Sequence, residues 1–450
     1  MSLKNRLGDP NAVGAALRTV VRDRETRAVK PPPEYMSASY ISLKTRVQEQ
    51  LLNQEANPEL LDAEQLRTRI AAIVAEERSV SPLERDSIVN NLVNEIKGFG
   101  PVQPLLDDPD ISEVMINGPN RVYIERAGRL EATRIRFRDD AHLKSIVEKM
   151  LAPTGRRLDE ASPMVDARLP DGSRLNAVIR PIAVAGDTIT IRKFSKDPFT
   201  LEQLVHMGSM SDAMRVVLEA AVKGRVSIVV SGGTGSGKTT TLNALSANIP
   251  AEERIVTIED AAELQLQQDH RVTLEARPAN VEGQGEVSIR SLVRNALRMR
   301  PDRIIVGEVR GGEALDMLQA MNTGHEGSLT TAHANSPRDC LARMETMVLM
   351  AGADLPLTAI RQQIASAVDV IVQQARLQDG TRRIVQVTEV VGLEEGVITT
   401  QDLFVYQQTG IDEQGRVEGY FTASGIRPRF SEQLSRRGLT LPPDVFGEVR

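Results

Sequence analysis

The sequence predicts an α/β protein in which a parallel sheet carries a phosphate-binding loop, preceded by a small helical bundle and an α+β domain. Three observations lead to this prediction. From Ser227 onward, apolar strands alternate with helical patterns, which favours a largely parallel sheet covered on both faces. Residues 98–194 contain short strands and turns, and residues 40–97 carry apolar side chains at helical spacing. The chain has 450 residues, 41% of them hydrophobic, which is enough for two or three domains.

The composition excludes several classes of protein. The single cysteine, Cys340, leaves no disulfide framework and no cysteine-rich zinc site within one chain, which indicates a reducing compartment. The net charge of −6 gives no general footprint for nucleic acid, so no direct binding of nucleic acid is expected. No apolar run approaches the length of a membrane-spanning helix, and the first residues lack the apolar core of a signal peptide. We therefore expect a cytoplasmic protein that reaches a membrane only through a partner or its surface.

The first part of the chain predicts a tail followed by three helices. Residues 1–39 are polar, rich in arginine and lysine, and broken by Pro31–Pro33, which predicts a flexible tail. Such a tail could touch anionic lipid or an acidic partner, although a solvated tail is the favoured interpretation. Residues 40–97 predict a three-helix unit with breaks at Asn57–Pro58 and Ser79–Pro82.

The region 98–194 predicts an α+β domain with a mostly antiparallel sheet. Val114–Ile116 and Val122–Glu125 are typical of strands, and Asp171–Gly172 indicates a hairpin turn. A helix is expected over Asp140–Leu151.

A linker is predicted at 195–205, followed by a region of alternating strands and helices at 206–395 and a C-terminal extension at 396–450. A hairpin is expected about Asp379–Gly380, with a strand at Ile384–Val391. The other elements expected in the alternating region are strands at Ser227–Val230, Ile255–Ile258 and Arg303–Val306 and helices at Thr239–Ala247 and about Gly312–Asn322.

The segment Val226–Leu245 places an apolar strand directly before a glycine-rich loop and a helix start. Gly232, Gly237, Lys238 and Thr239 match the pattern G-x-x-x-x-G-K-[ST]. The glycines let backbone N–H groups converge on one anion, the lysine adds a charge for the β- and γ-phosphates, and the threonine hydroxyl can ligate Mg²⁺. The predicted ATP-binding residues are Gly232, Gly233, Thr234, Gly235, Ser236, Gly237, Lys238, Thr239 and Thr240.

Carboxylates end two further apolar strands of this region. The segment IVTIED ends in Glu259 and Asp260, and IIVGE ends in Glu308. Because parallel strands end at the same edge as the phosphate loop, these acids can converge on Mg²⁺ and the attacking water. The wider class of phosphate-loop proteins carries an aspartate where Gly307 stands, which leaves Glu308 as the metal-side carboxylate. Acids after strands are also common helix caps, and this alternative is strongest for Asp260.

The segment Thr323–Asn335 contains two of the five histidines. His325 and His333 are eight residues apart without a cysteine nearby, so zinc is not expected. The segment could reach the nucleotide from one side, where an imidazole could hydrogen-bond a phosphate oxygen or a carboxylate. Spacing alone does not favour this role over an ordinary structural histidine.

Four segments in this order together resemble the secretion ATPases of type II, type IV and type IV pilus systems. They are the phosphate loop, Glu253–Leu266, Leu297–Ser328 and Thr330–Asp339. The greatest similarity is to the CpaF-type ATPases of tight-adherence (Flp, type IVb) pili. The helical unit before the α+β region, the segment FGPVQPLLDDPDISEVMINGPNRVYIER and the segment FTASGIRPRF resemble that branch. The four-cysteine metal insert of many type II secretion ATPases is absent from the sequence.

The resemblance implies a RecA-like motor domain and a homo-hexameric ring on the cytoplasmic side of the inner membrane. Such a ring would hydrolyse ATP to drive pilus assembly, and also retraction in some systems, acting on pilin through inner-membrane platform proteins. A type IV secretion ATPase driving DNA or effector transfer is the alternative, because it shares the motor motifs. A nucleotide-gated scaffold without turnover is a third reading, which the two strand-end glutamates oppose.

The resemblance also implies roles for the acids and histidines. Glu259 corresponds to the glutamate of the aspartate box and would activate the hydrolytic water. Glu308 lies in the segment that resembles the Walker B strand and would hold Mg²⁺ through water, beside Thr239. His325 and His333 correspond to the histidine box and become candidate active-site residues.

Arginines form the last group of candidates. The family takes arginines from its N-terminal domain to the γ-phosphate between subunits, and Arg174–Phe194 resembles the segment that carries them. Arg174, Arg180 and Arg192 are the candidates in this chain. A solvated strand face is the alternative, because spacing does not distinguish an arginine finger from a surface arginine.

Overall fold

The computed structural model describes residues 38–54, 60–76, 85–126, 128–194, 198–277, 279, 284–352 and 354–447. The predicted tail, apart from Ala38 and Ser39, lies outside these residues, as do the predicted breaks at 57–58 and 79–82. The chain divides into two units. The first takes in the described residues of Met1–Ile124, Glu131–Leu169 and Leu175–Ile191, and the second those of Glu125–Leu130, Pro170–Arg174 and Arg192–Arg450.

Three helices open the first unit, as the sequence predicts. They are α1 (Ala38–Gln54), α2 (Ala63–Glu76) and α3 (Arg85–Ile96). Apolar residues recur on one face of each helix, and these faces pack together around Leu51, Leu66, Ile70 and Leu92. Among the described residues, no helix is long and apolar enough to cross a membrane.

A six-stranded sheet follows, in the order β3-β2-β1-β6-β5-β4. Short turns join β1 to β2, β2 to β3 and β4 to β5, so these neighbours are antiparallel, because parallel neighbours need a longer crossover. The helix predicted over Asp140–Leu151 is confirmed with those bounds, and Asp139 caps it by accepting from the His142 N–H. The elements are α4 (Gln103–Asp107), β1 (Ile111–Asn117), β2 (Val122–Arg126), β3 (Arg129–Ala132), α5 (Asp140–Leu151), β4 (Met164–Arg168), β5 (Arg174–Val178) and β6 (Thr188–Arg192).

The second unit is built on a nine-stranded sheet. Its strands are β7 (Ile228–Gly232), β8 (Ile255–Glu259), β9 (Arg271–Glu275), β10 (Arg303–Val309), β11 (Leu329–Ala332), β12 (Val370–Arg376), β13 (Arg382–Glu394), β14 (Val397–Ile411) and β15 (Val417–Ala423). Its helices are α6 (Leu201–His206), α7 (Asp212–Lys223), α8 (Lys238–Ser246), α9 (Ile289–Ala296), α10 (Glu313–Asn322), α11 (Pro337–Met350), α12 (Leu357–Ala367) and α13 (Ser431–Arg436).

The largely parallel sheet predicted for the motor region is confirmed. The order is β15-β14-β13-β12-β7-β11-β10-β8-β9, and the six strands from β12 to β9 pair in parallel. Ile228 pairs with Leu329 on one side and with Val370 on the other. The carboxyl ends of β7, β8, β10 and β11 therefore meet at one edge, which is where α/β sheets bind ligands.

Helices cover both faces of this sheet, as its alternating side chains require. Ile228 and Val230 of β7 point into a cluster with α7 and α8, whereas Val229 points into the opposite cluster with α9 to α12. Both clusters consist of buried apolar side chains, so β7 packs against helices on both faces of the sheet.

Two parts of the second unit differ from the predicted boundaries. The predicted linker contains the start of α6, which begins after a capping box at Thr200 and packs Leu201 and Leu204 into the core. The predicted C-terminal extension adds β14 and β15 to the motor sheet by antiparallel pairing with β13. Neither segment is separate from the motor core.

Candidate active site

The phosphate loop, residues 232–239, connects β7 to α8 at the carboxyl edge of the sheet. Gly235 and Gly237 have φ values of 70° and 96°, which residues with side chains rarely adopt. A Cβ atom on Gly232 would lie 2.3 Å from the backbone oxygen of Gln374 on the neighbouring strand β12. The glycines at these positions are therefore required by backbone geometry and by close packing.

Lys238 opens α8 with its side chain directed back along the loop. Its Nζ donates to the backbone oxygens of Gly232, at 3.1 Å, and Gly233, at 2.9 Å, and lies 3.4 Å from Nε2 of His333. Only 8% of the residue is exposed. The ammonium thus sits inside the loop, at the place where the loop amides would gather phosphate oxygens.

Burial disfavours the positive form of Lys238. Burial lowers the pKa of Lys238, and the charges of Arg192 and Arg310 add to this effect against the opposing charge of Glu308. A bound phosphate would supply the negative charge that this group of cations lacks. The electrostatics of the loop therefore favour an anionic ligand.

Glu259 ends β8 and is 4% exposed. Its Oε1 accepts from the backbone N–H groups of Glu263, at 2.9 Å, and Leu264, at 3.0 Å, which fixes the direction of the carboxylate. A Cβ atom on Gly307 of the adjacent strand would lie 2.8 Å from Cγ of Glu259 and 3.3 Å from Oε1. Glycine stands at 307 because the side chain of Glu259 occupies the space that an aspartate would need.

Gly307→Ala is expected to displace Glu259 and lower kcat about 10- to 100-fold, with a smaller change in KM, because it would misplace the carboxylate that is expected to activate the reacting water. The matched control is Gly410→Ala, since no atom lies within 4 Å of a Cβ at that strand position. Steady-state ATPase rates and melting temperatures of both variants measure the effect. An unchanged kcat for Gly307→Ala would show that the position of Glu259 does not matter.

Glu308 follows Gly307 and lies between two basic side chains. Its Oε2 accepts from Nη2 of Arg310 at 2.8 Å, and its Oε1 lies 3.1 Å from Nε2 of His333. Burial opposes ionisation of Glu308, but the hydrogen bond and charge of Arg310 and the charges of His333 and Lys238 outweigh it and lower the pKa. Asp260 lies farther out, with its Oδ2 3.6 Å from Nη1 of Arg310.

His333 follows β11, and its Nε2 lies 3.4 Å from Nζ of Lys238 and 3.1 Å from Oε1 of Glu308. Burial and the charge of Lys238 lower the pKa of His333, and Glu308 opposes them. The imidazole is therefore neutral near pH 7, so the lone pair of Nε2 can accept from the ammonium of Lys238. The structure thus places His333 beside the phosphate loop, and its role in catalysis stays a prediction from the family resemblance.

His325 lies at the other edge of the sheet. It precedes β11, and the nearby Gly327 N–H donates to Oγ of Ser227, at the start of β7. The length of β11 separates the two histidines, because β11 runs parallel to β7 between them. The structure does not bring His325 to the phosphate loop of its own chain.

A cleft beside the phosphate loop contains two of the three predicted arginines. Nη1 of Arg174 donates to Oε1 of Glu263 at 3.0 Å, and Arg192 is close enough to affect Lys238. Arg180 belongs to the first unit, where its side chain is exposed and its backbone N–H donates to Asp187. The cleft lies within the second unit and is lined by Gly172, Arg174, Arg192, Lys193, Phe194, Pro198, Phe199, Thr239, Thr240, Asn243, Glu263 and Gln265.

Sequence reasoning missed three residues at this edge: Arg310, Gln374 and Arg382. Oε1 of Gln374 accepts from the hydroxyl of Thr241 at 2.8 Å, and Nε of Arg382 donates to the Gly235 oxygen at 2.9 Å. Gln374 could have been found by the rule that found the glutamates, because it is a polar residue near the end of an apolar parallel strand. Arg382 carries no such signal, since it begins the antiparallel strand β13.

The residues present fit Mg²⁺ bound together with a nucleotide. Oε1 of Glu308 is buried without a hydrogen-bond partner, and Thr239 supplies a hydroxyl at the helix start. Among the described residues, no group of three or more His, Cys, Asp or Glu side chains could hold a metal ion by itself. Mg²⁺ suits such a sparse donor set, because it keeps several waters and binds substrate phosphates.

A glycine-rich loop at the carboxyl edge of a parallel sheet, with glutamates ending two neighbouring strands, defines a nucleotide-hydrolysing phosphate-loop protein. Residues 95–423 match the family described as type II/IV secretion system protein. The chain belongs to this family and is an ATPase, which confirms the superfamily predicted from the four motifs.

The relatives carry names from conjugal transfer and from type IV secretion. A Mycobacterium tuberculosis protein named for conjugal transfer is 41% identical over 66% of this chain and 85% of its own length. VirB11 of the Brucella suis type IV secretion system is 36% identical over 63% of this chain and 86% of its own length. The crystal structure of the Brucella suis VirB11 ATPase covers 64% of this chain and 91% of its own at 35% identity, with a TM-score of 0.35, too low for the structural likeness to carry an argument.

Proposed function

We propose that this chain is the motor of a type IV secretion system, a cytoplasmic homo-hexamer that works with inner-membrane components to move DNA or protein effectors. The convergence of Lys238, Glu308 and His333 on the phosphate loop supports ATP hydrolysis as the driving reaction. The names of the relatives from Mycobacterium tuberculosis and Brucella suis support the secretion branch.

Each residue of the site has a separate role in the proposed hydrolysis. Lys238 and the loop amides bind the β- and γ-phosphates, and the fixed carboxylate of Glu259 accepts a proton from the attacking water. Glu308 and Thr239 would hold Mg²⁺, which neutralises charge on the phosphates when bound. Neutral His333 accepts from Lys238 through Nε2, and the same nitrogen lies 3.1 Å from Oε1 of Glu308 on the metal side.

Tight-adherence pilus assembly is the second candidate function. The segments that resemble the CpaF branch include the helical unit α1 to α3, which falls almost entirely outside the family match at 95–423. An affinity purification from native membranes, with the chain as bait and Lys223→Ala as a matched surface variant, distinguishes the two. Recovery of prepilin and pilus platform proteins supports the pilus, and recovery of DNA-processing or effector-coupling proteins supports transfer.

We also propose that Arg180 reaches the γ-phosphate of a neighbouring subunit, whereas Arg192 acts in its own chain. Arginine suits the first role because its planar fork binds two oxygens and stays ionised. The position of Arg192 in the cleft beside Thr239 supports the second role.

Mixing variant subunits tests this division. Rings containing Arg180→Ala and Lys238→Ala subunits should recover part of the ATPase activity, since some interfaces then combine an intact loop with an intact arginine. Rings of Arg192→Ala and Lys238→Ala subunits should recover none. With subunit exchange verified by mass spectrometry, no recovery in the first mixture excludes the intersubunit role of Arg180.

A further inference from the structure

Two arginines from the β12–β13 hairpin meet the tip of the phosphate loop. Nε of Arg382 donates to the Gly235 oxygen at 2.9 Å, and Nη2 lies 3.3 Å from Oε1 of Glu125. Arg376 donates through Nη2 to the backbone oxygen of Gly128, and its Nη1 lies 3.6 Å from the position of a Cβ on Gly235. All five residues belong to the second unit.

The contact with Gly235 controls the direction of a loop donor. The Gly235 C=O and the Ser236 N–H share one rigid peptide plane and point in opposite directions. A hydrogen bond that holds the oxygen on the hairpin side therefore fixes the N–H on the other side. The loop needs such an anchor, because glycine at 235 leaves the backbone more conformational freedom than any other residue would.

Glu125 in turn fixes Arg382. The carboxylate is 12% exposed, against 39% for the arginine side chain, so the acid is the more firmly enclosed partner. One guanidinium thus bridges the enclosed carboxylate of Glu125 and the Gly235 end of the loop, and its planar fork holds Nε and Nη2 in a fixed relative position. Cδ of Arg382 also lies 3.3 Å from the position of a Cβ on Gly237, so the side chain packs along the loop.

We propose that Arg382, oriented by Glu125 and supported by Arg376, is a positioning residue that holds the phosphate loop in its phosphate-accepting conformation. This inference rests on the proposed ATPase function of the loop. Arg382 acts through the backbone of Gly235, so its removal should affect nucleotide affinity more than the chemical step.

Arg382→Ala should raise the Kd for ADP and the KM for ATP roughly tenfold, the effect of losing about one hydrogen bond, while kcat changes less than about threefold. Arg382→Lys should recover only part of the affinity, because it restores the charge without the bridge. The matched control is Arg383→Ala, since the guanidinium of Arg383 lies 4.8 Å over the ring of Tyr406. Its ADP affinity should equal that of the wild type.

Glu125→Gln distinguishes a positioning role of Arg382 from a simple electrostatic attraction between Arg382 and phosphate. If Glu125 orients Arg382, the variant should bind ADP more weakly than the wild type. If Arg382 only attracts phosphate, loss of the nearby negative charge should strengthen binding, and that result overturns the proposal. Equal ADP affinities for Arg382→Ala and Arg383→Ala, at matched melting temperatures, overturn it as well. ADP binding is measured without turnover. If the wild type had no ATPase activity, the proposed function would be wrong, but the ADP-binding test of Arg382 would still stand.

Discussion

Lys238→Ala is expected to reduce ATP turnover at least about a thousandfold and to weaken ADP binding about 10- to 100-fold. The phosphates lose their main side-chain counter-ion, and the carbonyls of Gly232 and Gly233 lose the donor that now bridges them. The fold should survive, because burial already disfavours the charged lysine in the unliganded loop. Fluorescent ADP titration and phosphate release measure the two effects.

Lys223→Ala provides the matched control for that experiment. It removes the same charge from an exposed position on α7, where the lysine pairs with Glu219 at 2.6 Å. Its activity should stay within about twofold of wild type, since surface ion pairs contribute little. Turnover near wild type in Lys238→Ala would remove the phosphate loop from the mechanism.

Glu259→Gln should retain ATP binding and slow hydrolysis by roughly two to four decades, because an amide cannot accept the proton of the attacking water. The structure makes this a clean substitution. The amide oxygen of glutamine can still accept from the N–H groups of Glu263 and Leu264, so the side chain should keep its direction. Trapped ATP in single-turnover experiments measures the result.

Glu308→Gln should behave differently. Loss of the carboxylate charge leaves Arg310 and His333 without their acidic partner and should weaken Mg²⁺ binding, so that a higher Mg²⁺ concentration restores part of the rate. If instead Glu308→Gln binds ATP normally and blocks chemistry, while Glu259→Gln turns over normally, the two proposed roles are reversed.

The sequence predicted those parts of the site that depend on local pattern. The phosphate loop, the strand-end glutamates and the helix over Asp140–Leu151 follow from motif, apolar runs and periodicity, which neighbouring residues encode directly. Strand direction decides at which edge of the sheet a residue lies. His325 precedes β11 and His333 follows it, so the two histidines lie at opposite edges although they belong to one motif.

Contacts between distant segments could not be predicted in this way. Gly307 departs from the wider pattern because of the side chain of Glu259 on the adjacent strand, and Gln374 reaches the loop only through the pairing of β12 with β7. The burial of Leu201 and the pairing of β14 with β13 likewise depend on tertiary packing, which composition at the predicted boundaries does not reveal.

The central place of β7 has a consequence for the order in which the protein folds during synthesis. Ser227, directly before this strand, accepts a hydrogen bond from Gly327, 100 residues later, and donates one to Asp369, 142 residues later. Pairings this remote are slow to form, because a long stretch of chain must be closed first. The loop follows β7, which completes its pairing only after β11 and β12 have been translated, so ATP binding should mature late, after most of the motor region has been translated.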